Sequence, residues 1–249
     1  MLPELARRIV AEYSTPDALV VDPMAGIGTT LVEAAALGRR TVGIELEERW
    51  VALARENLAY TLTPGQRGLA RIRRGDARRL PALLRELAGT VDLVVVSPPY
   101  ACDAGVIDKP AWHSGRRLCD AGTLNYSGDR ANLGHARGRA YAVAMEDVYA
   151  ACFAVLRPGG LLVTVTKNTR RAGRLFDLAG ETVSVARAAG FTYLQHVIAL
   201  LAAIRDGGLR ARPSFWQLTQ TRRARARGES VHLVVHEDVC VFEKPGVVR

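Results

Sequence analysis

Between Val91 and Val96 the chain is apolar at every position except Asp92. A strand with one wet face alternates apolar and polar residues; a run without alternation needs cover on both faces. Helices must therefore flank it on either side, and the rest of the sequence supplies them. Strand-like segments at Ala18–Val21, Thr41–Glu45, Leu69–Arg73, Leu161–Thr166, Phe191–Ala203 and, late in the chain, Val239–Phe242 alternate with helical ones. The helical segments are Leu2–Glu12, Thr29–Leu37, Glu47–Tyr60 (Trp50, Leu53, Ala54 and Leu58 inward), Arg78–Ala88, Ala140–Leu156 and Leu175–Ala189. Arg157-Pro158-Gly159-Gly160 reads as a turn. Alternation of this kind predicts an α/β doubly wound, mostly parallel seven-stranded sheet with helices on both faces. On such sheets ligands sit at the C-terminal ends of the strands.

The chain has 249 residues, a length that one α/β domain accommodates, and a single domain over 1–249 is expected. At 49% hydrophobic and 24% charged it is neither disordered nor fibrous. The longest uncharged apolar stretch, Phe191–Ile204, is too short and polar to cross a bilayer, and no signal peptide is legible, so a cytoplasmic protein without membrane contact is expected. The four cysteines (102, 119, 152, 240) are scattered without a C-x-x-C pair, which argues against a disulfide framework and a metal site. Net charge is +9, and the partner such an excess most often serves is nucleic acid.

Asp22-Pro23-Met24-Ala25-Gly26-Ile27-Gly28-Thr29-Thr30 follows the first strand and opens a helix. Its glycines let backbone approach a ligand. Leu31 stands where a dinucleotide loop needs its third glycine, and an acid at the strand tip would repel a pyrophosphate. Asp22 instead suits an amino or sulfonium cation. Glu45, followed by Leu46, ends the second strand, where a carboxylate can accept both hydroxyls of a ribose. Asp76, followed by Ala77, ends the third, placed for an adenine amine. Each acid alone is more often a helix cap; three in order at successive strand tips suggest one nucleoside.

Ser97-Pro98-Pro99-Tyr100 is the most specific signal. Two prolines remove N–H donors and leave carbonyl acceptors, and the residue before proline is held extended. Ser97 Oγ and the Pro98 carbonyl can then accept both hydrogens of an exocyclic base amine, with Tyr100 stacked on the ring.

With these motifs the chain resembles the S-adenosylmethionine-dependent DNA amino-methyltransferases of the N4-cytosine/N6-adenine family. Asp22–Thr30 is similar to that family's D-P-F-A-G-S-G-T-T loop, with Met24 where Phe is common; Gly43–Trp50 resembles its ribose motif, and Ser97–Tyr100 its catalytic [DNS]-P-P-[YFW] motif. The likeness runs over residues 1–203. It implies a class I methyltransferase (Rossmann-like) fold. It also implies S-adenosylmethionine held by Asp22, Pro23, Met24, Ala25, Gly26, Gly28, Thr29, Thr30, Glu45, Leu46, Asp76 and Ala77, and catalysis by Ser97, Pro98, Pro99 and Tyr100 without metal. Ser at the first catalytic position is commoner among N4-cytosine enzymes, so a flipped cytosine in duplex DNA is the expected substrate, acted on by a monomer or homodimer. An RNA base N-methyltransferase is the alternative, and a metabolite methyltransferase would not need the +9 charge. C5-cytosine chemistry wants a nucleophilic Pro-Cys, which the chain lacks; Cys102 lies beyond Tyr100 with nothing obvious to activate it.

Two segments break the alternation. Residues 97–139 are rich in Gly, Asp, Asn and Arg, and are expected to form the base pocket or a lid, with Asn125–Ser127 and Asn132–His135 as candidate lining. Residues 205–229 read as an irregular arm for nucleic acid, carrying Arg210, Arg212, Arg222, Arg223, Arg225 and Arg227, with Phe215 and Trp216 as a wedge or stacking group.

Overall fold

A computed structural model of the protein describes residues 1–99, 112–113, 116–117, 129, 131–136, 138–171, 174–213 and 215–246. Seven strands form one sheet: β1 (Leu19–Asp22), β2 (Arg40–Glu45), β3 (Ala70–Arg74), β4 (Val91–Val96), β5 (Leu156–Thr166), β6 (Thr192–Leu200) and β7 (His236–Glu243). Their spatial order is 6-7-5-4-1-2-3. Pairs β1–β2, β1–β4, β2–β3 and β4–β5 are parallel, and only β7 runs against its neighbours. It can do so because it returns from β6 without a crossover helix on the sheet face. Helices α1 (Pro3–Tyr13), α2 (Thr29–Ala36), α3 (Glu48–Thr61), α4 (Arg139–Val155) and α5 (Leu178–Ala188) accompany the sheet; α6 (Phe215–Ala226) lies within the β6–β7 connection.

The apolar run in β4 behaves as its sequence requires. Val94 and Val96 join the cluster beneath α4, whose Met145, Val148, Tyr149 and Cys152 are buried. Leu93 and Val95 join the opposite cluster with Ile9 and Val10 of α1. On α3 the buried face is Val51, Ala54 and Leu58, while Trp50 and Leu53 are half-buried.

Several expectations need correction. The helix expected over Arg78–Ala88 is broken into 3-10 turns at Ala77–Arg79 and Arg85–Leu87 around a single helical turn at Leu80–Leu83. Pro81 has no N–H to bond the Ala77 carbonyl, so an α-helix cannot run through. Arg157–Gly160 is an irregularity inside β5, because Gly159 N–H donates to the Lys244 carbonyl at 2.9 Å and keeps the segment at the sheet. Helix α5 begins at Leu178, capped by Asp177 accepting from Gly180 N at 3.0 Å, whereas Leu175 and Phe176 belong to a short strand pair of Thr169–Arg171 with Arg174–Phe176. Strand β6 ends at Leu200, and Ala202 and Ala203 start a separate hairpin.

The segment 205–229 is not irregular. Ala202–Arg205 pairs antiparallel with Gly208–Ala211, and α6 follows. Asp206 and Gly207 form the two-residue turn, both with positive φ (52° and 73°), the geometry of a type I′ hairpin.

Gly43 shows how tightly the loop after β1 is seated. A Cβ there would meet Leu31 Cδ1 at 2.7 Å and Ala25 Cβ at 2.8 Å. Replacing Gly43 by Ala should therefore cost about 1–3 kcal/mol through overpacking. Denaturant unfolding should show a lower midpoint with an unchanged slope; an unchanged midpoint would mean that the loop has slack.

Candidate functional site

Parallel strands point all their C-terminal ends one way, and β1 and β4 are neighbours, with Val20 opposite Leu93 and Val21 opposite Val94. The β1–β4 boundary is where strand order reverses, the usual ligand crevice of such sheets. Asp22 at the tip of β1 and Ser97 just beyond β4 thus lie at one edge of the sheet.

The loop after β1 is built for close approach. Gly26 (φ 52°) and Gly28 (φ 83°) are left-handed, and a Cβ on Gly28 would press the Ala54 Cβ of α3 at 3.2 Å. Ala25 N–H donates to the Ile44 carbonyl at 2.9 Å, and Asn57 of α3 donates to the Ile27 carbonyl at 2.9 Å. Asn57 was not singled out from the sequence; its position on α3 facing the loop emerges only in three dimensions.

Asp22 is buried, accepting from Met24 N at 3.0 Å and from the Thr30 side chain. Burial pushes its carboxyl up to about 6; the hydrogen bonds from Thr30 and Met24 and the amino terminus oppose this, and Glu45 adds slightly to it. Because burial disfavours the charged carboxylate, a cation placed beside it would favour its ionised form. Glu45 accepts Gly26 N–H at 2.8 Å on one oxygen and Glu47 N–H at 2.9 Å on the other. Burial raises its pKa; the N–H groups of Glu47, Gly26 and Leu46 oppose the rise, and the charge of Glu47 adds to it. These features fit a cationic nucleoside cofactor.

Asp76 stands at its expected place but is already engaged. It caps the following turn through Arg78 N at 3.0 Å, and Arg78 Nε and Nη2 hold it in a fork at 3.0 and 2.5 Å. Burial would raise its pKa, but the Arg78 bonds outweigh that and leave it lowered. Ala77 is buried beside it and opens the turn, where an N–H has no intrahelical acceptor.

Ser97 and Pro99 are half-buried and Pro98 is buried. The Tyr141 hydroxyl of α4 donates to the Pro99 carbonyl at 2.8 Å, fixing the turn from below. Sequence periodicity marks Tyr141 only as apolar filling; its polar end was not legible. Tyr100, Cys102, Cys119 and Asn125–Ser127 lie outside the described residues. Cys152 and Cys240 are buried, with thiols raised by burial, Cys240 to about 11. No cluster suited to a metal occurs among the described residues.

Asn132 bonds to Glu47, just beyond the tip of β2. Its amide donates to Glu47 Oε1 at 2.6 Å, its oxygen accepts from Gly134 N at 2.8 Å, and Arg78 reaches the Ala131 carbonyl at 3.5 Å. Residues 131–136 therefore strap across the tips of β2 and β3. His196, on β6, pairs with Asp238 at 2.9 Å.

The arginine segment joins the same edge. Strand β6 is parallel to β1–β5, so the hairpin and α6 leave from the C-terminal edge; Lys167, just after β5, donates to Gln217 of α6 at 2.9 Å. Arg210, Arg212, Arg222 and Arg223 are exposed. Arg225 and Arg227 are also exposed but bind the Val231 carbonyl (2.9 Å) and Glu229 (2.7 Å). The side chains of Phe215 and Trp216 lie outside what is described. A separate groove of about 440 Å³, lined by Arg55, Arg67, Arg71 and Arg73, lies between α3 and β3, away from the strand tips.

Residues 3–56 match a family described as DNA methylase, of the N6/N4 type. A tRNA (guanine(10)-N2)-dimethyltransferase of Methanothermobacter thermautotrophicus is 33% identical over 128 residues, 50% of this chain and 35% of the relative. A 4-amino-L-phenylalanine/4-methylamino-L-phenylalanine methyltransferase of Streptomyces pristinaespiralis is 45% identical over 84 residues, 33% and 25% of the two chains. The type II methyltransferase M.HinfI of Haemophilus influenzae is 39% identical over 54 residues, 22% and 15%. The chain thus spans about a third or less of these relatives' length. Among solved structures, a precorrin-6y C5,15-methyltransferase of Geobacter metallireducens superposes with a TM-score of 0.51 at 13% identity, covering 97% of this chain and 87% of that one. The fold is that of class I methyltransferases, the chain is similar to the DNA amino-methyltransferases as its motifs indicate, and S-adenosylmethionine is the cofactor that this fold and family imply.

Asp22 gives a pH signature. Its folded pKa is raised above the ordinary carboxylate value, so its contribution to stability is complete at acid pH and is lost as pH rises from about 4 through about 6. Cationic cofactor prefers the ionised form, so S-adenosylmethionine affinity should move the other way, falling up to about tenfold per pH unit below about 6. Calorimetry from pH 5 to 8 should show this slope in the parent and a weak, flat profile in Asp22→Asn. A parallel slope in Asp22→Asn would assign the titration elsewhere.

Proposed function

We propose that this relative of the S-adenosylmethionine-dependent amino-methyltransferases transfers a methyl group to an exocyclic amine of a DNA base turned out of the duplex, cytosine N4 in preference to adenine N6. The observation that supports this reading is the adjacency of β1 and β4, whose C-terminal ends carry Asp22 and Ser97. S-adenosylmethionine, when bound, supplies an electrophilic methyl group. Asp22 neutralises the cationic end, the Gly26–Gly28 backbone approaches it closely, Glu45 accepts the ribose hydroxyls, and Ala77 N–H with Asp76 meets the adenine.

Ser97 Oγ and the Pro98 carbonyl accept the two amine hydrogens. That draws electron density onto the nitrogen and turns its lone pair toward the methyl. Tyr141 keeps the Pro-Pro turn from yielding when the amine docks. Tyr100 stacks on the base. A proton leaves the nitrogen after transfer, and no covalent bond forms between base and protein. The exposed Arg210, Arg212, Arg222 and Arg223 grip phosphates, with Arg225 and Arg227 weaker candidates because of their internal partners.

A tRNA base amine is the second reading, favoured by the 128-residue likeness to the tRNA dimethyltransferase. The arylamine relative extends the range of amines that a related chain can methylate, and a small amino acid makes no use of an arginine surface.

The test is labelled methyl transfer to genomic DNA, total tRNA and 4-amino-phenylalanine in parallel, followed by nucleoside analysis. N4-methylcytosine in DNA is expected; N6-methyladenine would change the base, and methylated tRNA or amino acid with unlabelled DNA would overturn the DNA reading. Ser97→Ala should slow transfer about 5- to 30-fold, from about 1–2 kcal/mol of lost hydrogen bonding, with cofactor affinity unchanged. A rate equal to the parent would remove Ser97 from the reaction.

A further inference from the structure

The hairpin Ala202–Ala211 has two unlike faces. Cross-strand partners share a face, so Ala202, Ile204, Leu209 and Ala211 make one side, and Ala203, Arg205 and Arg210 the other. Arg212 continues the arginine side, its N–H pairing with the Leu201 carbonyl at 2.7 Å. Ile204 is 78% exposed and Leu209 66%, and they stand directly opposite each other, one pair back from the Asp206-Gly207 turn, which Arg205 and Gly208 close. Two large aliphatic side chains held in water near the end of a hairpin, each open to solvent, give nothing to the core.

The setting identifies what would cover them. The hairpin leaves the sheet at the edge where Asp22 and Ser97 open, and four residues per strand carry its tip about 13 Å from its base. Arg205 and Arg210 lie on its other face, and exposed Arg222 and Arg223 lie on the helix that follows. An apolar tip framed by arginines is complementary to a stacked duplex framed by phosphates. A base paired within such a duplex cannot reach Ser97, and taking it out leaves an unfavourable gap in the stack. An aliphatic wedge entering between bases offsets that cost.

We propose that the Ile204–Leu209 pair is a base-extruding wedge that enters duplex nucleic acid while Arg205 and Arg210 hold the adjoining backbone. This rests on the base-methylation reading above. It assigns the wedge to the hairpin rather than to Phe215 and Trp216.

The test uses the full chain, Ile204→Thr/Leu209→Thr, which keeps strand-forming residues and the Asp206-Gly207 turn. Methyl transfer is compared on duplex genomic DNA and on the same DNA heat-denatured, and binding to a 30-base-pair duplex is followed against salt. The variant should lose 10-fold or more on duplex, stay within twofold on denatured DNA, and keep the parent's salt slope and cofactor affinity. Should the parent be inactive on denatured DNA, the duplex rate loss at unchanged duplex affinity decides alone. Arg205→Gln/Arg210→Gln should instead flatten the salt slope by up to about 0.9 per lost phosphate contact. An undiminished duplex rate overturns the wedge while leaving base methylation intact. So does an equal loss on both substrates, or lost duplex affinity. So does a change in oligomeric state or in binding to anionic vesicles, which would assign the apolar face to a second copy or a lipid surface. If the parent methylates neither form, the base-methylation reading itself fails and the wedge with it.

Discussion

The Glu45 carboxylate takes Gly26 N–H on one oxygen and Glu47 N–H on the other. One side chain thereby ties the loop after β1 to the tip of β2 and sets the entry of α3. Removing it would leave two N–H donors to find water at the mouth of the site. The arrangement is possible only because Gly43, opposite Asp22 in the β1–β2 register, has no side chain to keep Ala25 and Leu31 away. Asp22 is then enclosed between the loop and α2, and its raised carboxyl pKa follows from that enclosure. Cofactor chemistry at this edge is a consequence of packing beneath it.

The sheet was legible because β4 has no polar alternation and because β1 and β2 end at an acid and β4 runs into Ser97-Pro98. Positions of Asp22, Glu45, Asp76 and Ser97 at successive tips follow directly. What stayed hidden depends on side-chain pairings, most of them between distant partners. Asn132 reaches Glu47 across the sheet edge and Tyr141 supports Pro99 from α4, while Arg78 occupies Asp76 from only two residues away. No periodicity encodes those pairings. Asp206-Gly207 between Ala202–Arg205 and Gly208–Ala211 is a strong short-range hairpin signature, but the arginines around it make the segment read as a solvated loop. Pro81 likewise carries its own warning against a continuous helix after Asp76.

The relatives differ in what they methylate, yet each shares only a limited stretch with this chain. The family match covers α1, β1, the glycine loop, α2, β2 and most of α3. Those elements carry the glycine loop, Glu45 and Gly43, which in this chain pack against one another within tight steric limits. The strap at 131–136, the hairpin and α6 lie outside the matched residues.

Two such segments meet the edge from opposite sides. The strap at 131–136 closes over β2 and β3 through Asn132 and Arg78, while the hairpin and α6 rise beyond β5 and are tethered through Lys167 and Gln217. The second placement is dictated by topology. Strand β6 points the same way as β1–β5, and β7 returns beside it without crossing a face, so residues 201–235 begin and end at the C-terminal edge. Any length of chain inserted there stands over the crevice side of the sheet. Lys167 adds a second constraint: it is buried, desolvation lowers its pKa, and Gln217 supplies an acceptor that holds α6 close to β5. An arginine helix fixed at that point brings its charge to the C-terminal edge of the sheet, on the same side as the glycine loop and Ser97.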